Sequence, residues 1–201
     1  MVSAVGFRSP ALRAHRSLPT VFDSGLMGDK VRMDHRDVAR NGLDECLTGL
    51  KAAVDGLTPV ELYWQPSPAS NHIAWLVWHM ARVEVNWYNR YIGQDEPVWI
   101  AGEFCTRFRM TAERGGYGDT AEDVADFPQL SIEDLFEYFD AVRSKSLVVL
   151  DGVTAADLEL TRPGRDNPPR IAWVLPHVLV EESQHLGQVS YLRGMLRGLG
   201  N

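Results

Sequence analysis

Cysteine is scarce in this chain: Cys46 and Cys105 are the only two in 201 residues. Two thiols cannot build a disulfide framework, and no CxxC pair is present to hold zinc through sulfur. That usage fits a reducing compartment, so a cytoplasmic location is expected. Nowhere do about 18 apolar residues run together, the length a membrane-spanning helix needs, so no membrane association is expected. Positive charge is also short, with 20 Lys and Arg against 27 Asp and Glu for a formal charge of -7. Such a balance excludes bulk electrostatic attraction to nucleic acid or an anionic membrane. A small-molecule substrate, or a protein partner, is expected instead. Internal repeats are absent, and no alternating strand pattern is strong enough to compete with the helical ones.

What is present is ordinary globular material, 45% hydrophobic and 23% charged, long enough for one real core. Arg8, Arg13, His15 and Arg16 all precede the first acidic residue, Asp23. An Arg-rich, acid-poor start can be a targeting segment, but the apolar stretch of a secretory signal is missing. Residues 1–30 are therefore read as a disordered tail, with Met27 or Met33 as alternative starts, and residues 31–201 as the domain.

Periodicity places four long helices in that domain. The first spans Asp34 to Leu57, with Asp34 as N-cap, Gly56 as stop and His35 as an exposed or capping residue. Thr58, Pro59 and Glu61 start a short helical piece that Pro66 and Pro68 end. A second long helix opens at Ser70 or Asn71 and continues to Ile92 as a core helix through Trp75, Trp78, Met80, Val83 and Trp87. Residues 93–130 form a long connection with a short helix in EFCTRFRM, a Gly-rich turn RGGYGDT and an acidic stretch, the kind of segment that often covers a site. Trp99, Phe104 and Phe108 either line a pocket there or pack the connection onto the bundle. The third helix opens on a capping-box-like S-I-E-D at Ser131 and stops near Gly152. Thr154 to Leu160 has room for one or two helical turns. Arg162, Arg165 and Arg170 then make a modest basic cluster, either solvated or available to a substrate carboxylate. The last helix carries HVLVEESQHLGQVSYLRGMLR, and Pro176 implies a kink or a new first turn that puts His177 near its start.

On this last helix His177, Glu181 and His185 follow one another at four-residue steps, so they share one face about 6 Å apart along the axis. Glu181 and His185 can reach a single ion together, as paired ligands in helical zinc motifs do. His79 lies in the middle of the apolar second helix. A buried histidine of that kind is ordinarily a hydrogen-bonded core residue, unless other ligands wait on another helix. His72 shares its face but sits two turns away, about 10 Å by helical rise, too far to bind the same ion. Glu182 to His185 also spells E-x-x-H, but a ferritin-like di-iron site needs that motif on two helices and this chain has it once.

The combination of N-H-I-A-W-L-V-W-H-M on the second helix with E-x-x-x-H-L-G-Q-V-S-Y-L-R-G on the fourth resembles the DinB-like superfamily. That superfamily includes mycothiol-dependent maleylpyruvate isomerase and related thiol S-transferases. The resemblance covers roughly Asp34 to Gly198. It implies an all-α fold, a four-helix bundle with a long crossover connection, and a divalent metal held by His79, Glu181 and His185. Zinc is the first expectation for that metal, and nickel or another divalent ion is also compatible. Two imidazoles and one carboxylate are the protein ligand count of a catalytic zinc that keeps an exchangeable position. The activity implied is a low-molecular-weight-thiol S-transferase or isomerase, with a thiol such as mycothiol as possible cofactor. The same site also supports a metal-dependent hydrolase, and a non-enzymatic metal- or ligand-binding stress protein is the third reading. A homodimer is a further expectation. Glu182, about 100° round the helix from Glu181, is either a surface charge or a support for the ligands; His177 and Gln188 are candidates to orient a ligand or line the pocket, with Trp99 beside them.

Overall fold

A computed structural model describes residues 33–198. The reading of residues 1–30 as a tail lies outside the described residues. Four long helices dominate: α1 (His35–Val54), α3 (Ile73–Glu84), α7 (Ile132–Asp151) and α8 (Ile171–Arg197). Four short ones, α2 (Pro59–Leu62), α4 (Val98–Ala101), α5 (Phe104–Arg107) and α6 (Ala121–Ala125), occupy the connections. Among the described residues no sheet forms, and Thr161 and Arg170 make a single antiparallel bridge. α1 packs on α8 and α7, and α3 packs on α7 and α8. The four-helix bundle expected from periodicity is therefore observed, with residues 93–131 as the long connection between α3 and α7.

Local chemistry fixes most helix starts. Asp34, Thr58, Thr120 and Ser131 each close a capping box with the acidic residue three positions on, satisfying two orphan groups at once. α3 departs from expectation, because His72 caps it in place of Asn71. The His72 Nδ1 accepts the Trp75 N–H at 3.0 Å. Beyond Glu84 the same helix widens into a π-helical stretch, Val85–Ile92, which periodicity does not distinguish from α-helix. Thr154 to Leu160 yields one 3₁₀ turn, Asp157–Glu159. His35 is neither free nor a cap, since its Nε2 lies 3.0 Å from the Val153 carbonyl.

Pro176 does not begin the last helix. α8 starts five residues earlier, at Ile171, and carries the proline inside its second turn. A proline there deletes one backbone bond, to the carbonyl of Ala172, and Ala172 is exposed, so water can serve that oxygen. His177 accordingly sits well inside the helix.

The core is aromatic around Trp78, Trp99, Tyr138 and Phe139, and aliphatic where α1 meets α8. Gly42 and Gly49 on α1 face Leu179 and Leu186 on α8 so closely that a Cβ at either glycine would crowd the leucine tip, at 2.9 and 3.0 Å. The seven-residue spacing matches on both helices, which sets a close, registered approach.

A cluster of charged residues interrupts this apolar interior. Arg143 on α7 donates to Glu84 on α3 at 3.0 Å and to Glu182 on α8 at 3.1 Å, and both carboxylates are fully buried. Burial first, and then the neighbouring Glu84, hold the Glu182 carboxyl well above its ordinary range. The Arg143 guanidinium offsets the acidic charge on both sides of it, which limits the cost of burying the triad.

Two outcomes follow from these contacts. Arg143→Met strands two buried carboxyls and should cost about 3–5 kcal/mol in urea unfolding. The triple replacement with Glu84→Gln and Glu182→Gln should recover part of that loss, and an Arg143→Met chain as stable as wild type would refute the triad's role. Burial lowers the His72 imidazole to about 4, and only its neutral form can accept the Trp75 N–H. The unfolded chain binds this proton from about pH 6.5 downward and the folded chain only near pH 4, so the contribution is full above about pH 6.5 and is lost as pH falls. The loss is about 3 kcal/mol by pH 4. His72→Asn, which keeps a capping side chain, should remove that component from the pH dependence of unfolding, whereas parallel profiles would contradict it.

Candidate metal centre

His79 enters from the middle of α3, where every residue from Ile73 to Arg82 is buried. Its imidazole stacks on Trp75 at 4.6 Å between centroids, nearly parallel at 13°. Nδ1 lies 3.0 Å from the Gly115 carbonyl. A carbonyl only accepts, so Nδ1 carries the proton and Nε2 keeps the free lone pair. Burial first, and the nearby His185 second, lower this imidazole to about 4, so it is neutral at physiological pH, the form a metal binds.

The residues that hold His79 come from the Gly-rich turn of the long connection. Gly116 has φ +83, and a Cβ on it would overlap His79 Nδ1 while pressing on Trp78 and Trp75. Only glycine combines that backbone with that approach. The turn is anchored on both sides: Asp119 accepts from Trp75 Nε1 at 2.9 Å and from Arg114 at 3.2 Å, and Arg82 Nε donates to the Arg114 carbonyl at 2.9 Å. The RGGYGDT turn is visible in the sequence, but its target is not, because the contact spans 36 residues.

Glu181 and His185 project from α8 toward the same point, with Oε2 and Nε2 3.6 Å apart and their side chains 28% and 14% exposed. His185 Nδ1 lies 3.0 Å from Gln188 Oε1. The amide oxygen accepts, so here too Nδ1 is protonated and Nε2 faces the centre. The His79 and His185 rings meet edge to face at 5.0 Å. One ligand atom from each of His79, Glu181 and His185 falls within 4.8 Å of the others, an arrangement that can hold a metal ion. His79 closes the inner side, and the partly exposed pair leaves an outer side open.

The remaining candidates are placed differently. Gln188 touches His185, as described. Glu182 faces the interior and belongs to the Arg143 triad, so it is neither a surface charge nor part of the cluster. His177 stacks on Trp173 at 4.1 Å and meets Trp87 edge-on at 5.3 Å, outside the cluster; burial lowers its pKa against the opposing charge of Glu181. Trp99 is fully buried against Phe108 and Tyr138 and packs the long connection onto the bundle. Sequence reading missed Gly115, Gly116 and Arg143. For Arg143 a signal existed: it falls in step with Phe139, Ser146 and Leu150 on the buried face of α7.

Gly116→Ala should therefore weaken zinc binding by roughly ten- to a hundredfold in competition titration, because it displaces His79 or its orienting carbonyl. Gly118→Ala is the control, since that position has a similar φ of +80 but nothing within 4 Å. Unchanged zinc affinity in Gly116→Ala would show that the turn does not position the ligand.

Comparison with known proteins agrees with this architecture. Residues 43–189 match the family model described as the DinB superfamily. A solved structure described as a conserved protein of locus from Enterococcus faecalis superposes with a TM-score of 0.74 at 20% identity, covering 83% of this chain and 99% of that one. At that identity the likeness speaks for the fold. No curated protein matches. With the helical bundle, the His79, Glu181 and His185 cluster and a family match over most of its length, the chain belongs to the DinB superfamily.

Proposed function

We propose that this protein is a divalent-metal-dependent enzyme, a low-molecular-weight-thiol S-transferase or isomerase, with His79, Glu181 and His185 as the metal ligands and zinc as the metal. The observation that carries the reading is the convergence of two correctly oriented imidazoles and one carboxylate within 4.8 Å, buried on one side and open on the other. Two nitrogens and one oxygen suit a borderline ion such as zinc, and three protein ligands leave a position for an exchangeable group, unlike a closed structural site. The thiol as co-substrate is the part supported by resemblance to the thiol transferases of the superfamily.

When bound, the divalent ion supplies a positive charge that lowers the pKa of a thiol brought to the open position. The chain's own residues do the rest. Gly115 and Gln188 each hold an Nδ1 proton, which keeps both Nε2 atoms directed inward. Glu181 contributes the negative charge that tempers the site. The stacked Trp75 ring and the Gly116 turn keep water from the inner side of His79. In the overall transfer the thiol proton leaves to solvent, sulfur forms a bond to the electrophilic carbon, and the leaving group departs with its electron pair.

Zinc-loaded protein should accelerate conjugation of at least one of mycothiol, bacillithiol or glutathione to a chlorinated dinitrobenzene, releasing chloride. His79→Ala should lose zinc and at least a hundredfold of the rate together. Full zinc occupancy in His79→Ala would overturn the ligand assignment. Zinc bound without thiol turnover, but with ester hydrolysis, would replace the transferase reading by the hydrolase one.

A further inference from the structure

Along α3 and its π-helical continuation, His79, Arg82, Asn86 and Arg90 follow at steps of three, four and four residues, one stripe with the candidate metal ligand at one end. Beyond His79 the stripe opens into a cavity of about 480 Å³. Arg82, Asn86 and Arg90 line it from the helix, and Arg165 lines it from the loop before α8. Asn86 lies two turns from His79, about 10 Å by helical rise. The same loop segment borders both places, because Glu113 lines the cavity and Gly115 accepts from His79.

Most of the other described arginines are neutralised by an acid. Arg36, Arg40, Arg107, Arg114, Arg143 and Arg170 all pair with carboxylates. Arg82, Arg90 and Arg165 have no carboxylate partner among the described residues. Two of the three are nevertheless held in place. Arg82 is buried, with its guanidinium 4.6 Å from the centroid of Trp99, Nε on the Arg114 carbonyl and Nη1 3.3 Å from the Tyr138 hydroxyl. Arg165 lies over Trp87 at 4.1 Å. In a chain of net charge -7, three guanidinium groups without carboxylate partners around one cavity make a site of net positive charge. Two acids share the cavity: Asp95 is engaged with Lys145 at 2.6 Å, and Glu113 stands exposed at the edge. They temper the field, which favours a singly charged, planar carboxylate over a doubly charged phosphate.

We propose that this cavity is an anion subsite for a carboxylate of an elongated organic acid whose reactive end reaches the His79, Glu181 and His185 cluster. The reach to the cluster rests on the proposed metal chemistry; the anion site itself does not. Calorimetric titration of the zinc-loaded full chain with adipate, and with its uncharged diamide, tests it. Adipate should bind and the diamide should not. The double variant Arg90→Gln with Arg165→Gln alters two exposed side chains and should weaken adipate at least tenfold with zinc content and circular dichroism unchanged. His79→Ala should keep adipate binding, which separates failure of the metal site from failure of this one. No adipate binding by wild type, equal binding by the double variant, or tighter binding of inorganic phosphate than of adipate would each overturn the proposal.

Discussion

The buried pairing of Arg143 with Glu84 and Glu182 is the contact on which the rest of the bundle's geometry depends. It joins α7 to α3 and α8 at the level of the candidate metal centre, where Glu84 follows His79 by five residues and Glu182 follows Glu181 directly. Apolar packing between helices is tolerant of small slides, but a guanidinium held by two carboxylates and the Leu43 carbonyl has few alternatives that leave no charge unpaired. The spacing that brings the His79 imidazole on α3 close to Glu181 and His185 on α8 is thereby tied to a directional contact. The glycine notches at Gly42 and Gly49 set the depth of α8 against α1 in the same structure.

Two kinds of order support the cluster. The inner histidine is held by aromatic stacking and a turn that only glycine can form, and the outer one by the amide of Gln188, three residues away on its own helix. The inner histidine thus depends on the long connection, while the outer pair depends on α8 alone. That division gives the 93–131 segment a physical purpose: it presses a backbone carbonyl and a glycine against His79 and packs Trp99 into the core. The arginine cavity continues from the same segment, so a molecule bridging both places would touch the ligand helix and the turn that positions it.

Much of this was legible in the sequence where the signals are local. Asp34, Thr58 and Ser131 announce their helices through side chains that bond three residues away, and Glu181 and His185 announce a shared face through their spacing. Signals that act across the fold were not legible. Pro176 reads as a boundary, yet α8 runs through it because the freed carbonyl is at an exposed position. Glu182 reads as a surface charge or a support for the ligands, yet it is buried against Arg143, a partner 39 residues away on another helix. The Gly115 and Gly116 turn reads as a loop, and its meaning is supplied only by the histidine it covers.

The central claim is that His79, Glu181 and His185 bind one divalent ion with a position left open. X-ray absorption spectroscopy of the zinc-loaded protein tests it most directly. The expected spectrum has one zinc with nitrogen and oxygen scatterers only, including two imidazoles, and the imidazole contribution falls to one in His79→Ala at reduced occupancy. A sulfur shell from Cys46 or Cys105, or a wild-type spectrum that His79→Ala leaves unchanged, would contradict it.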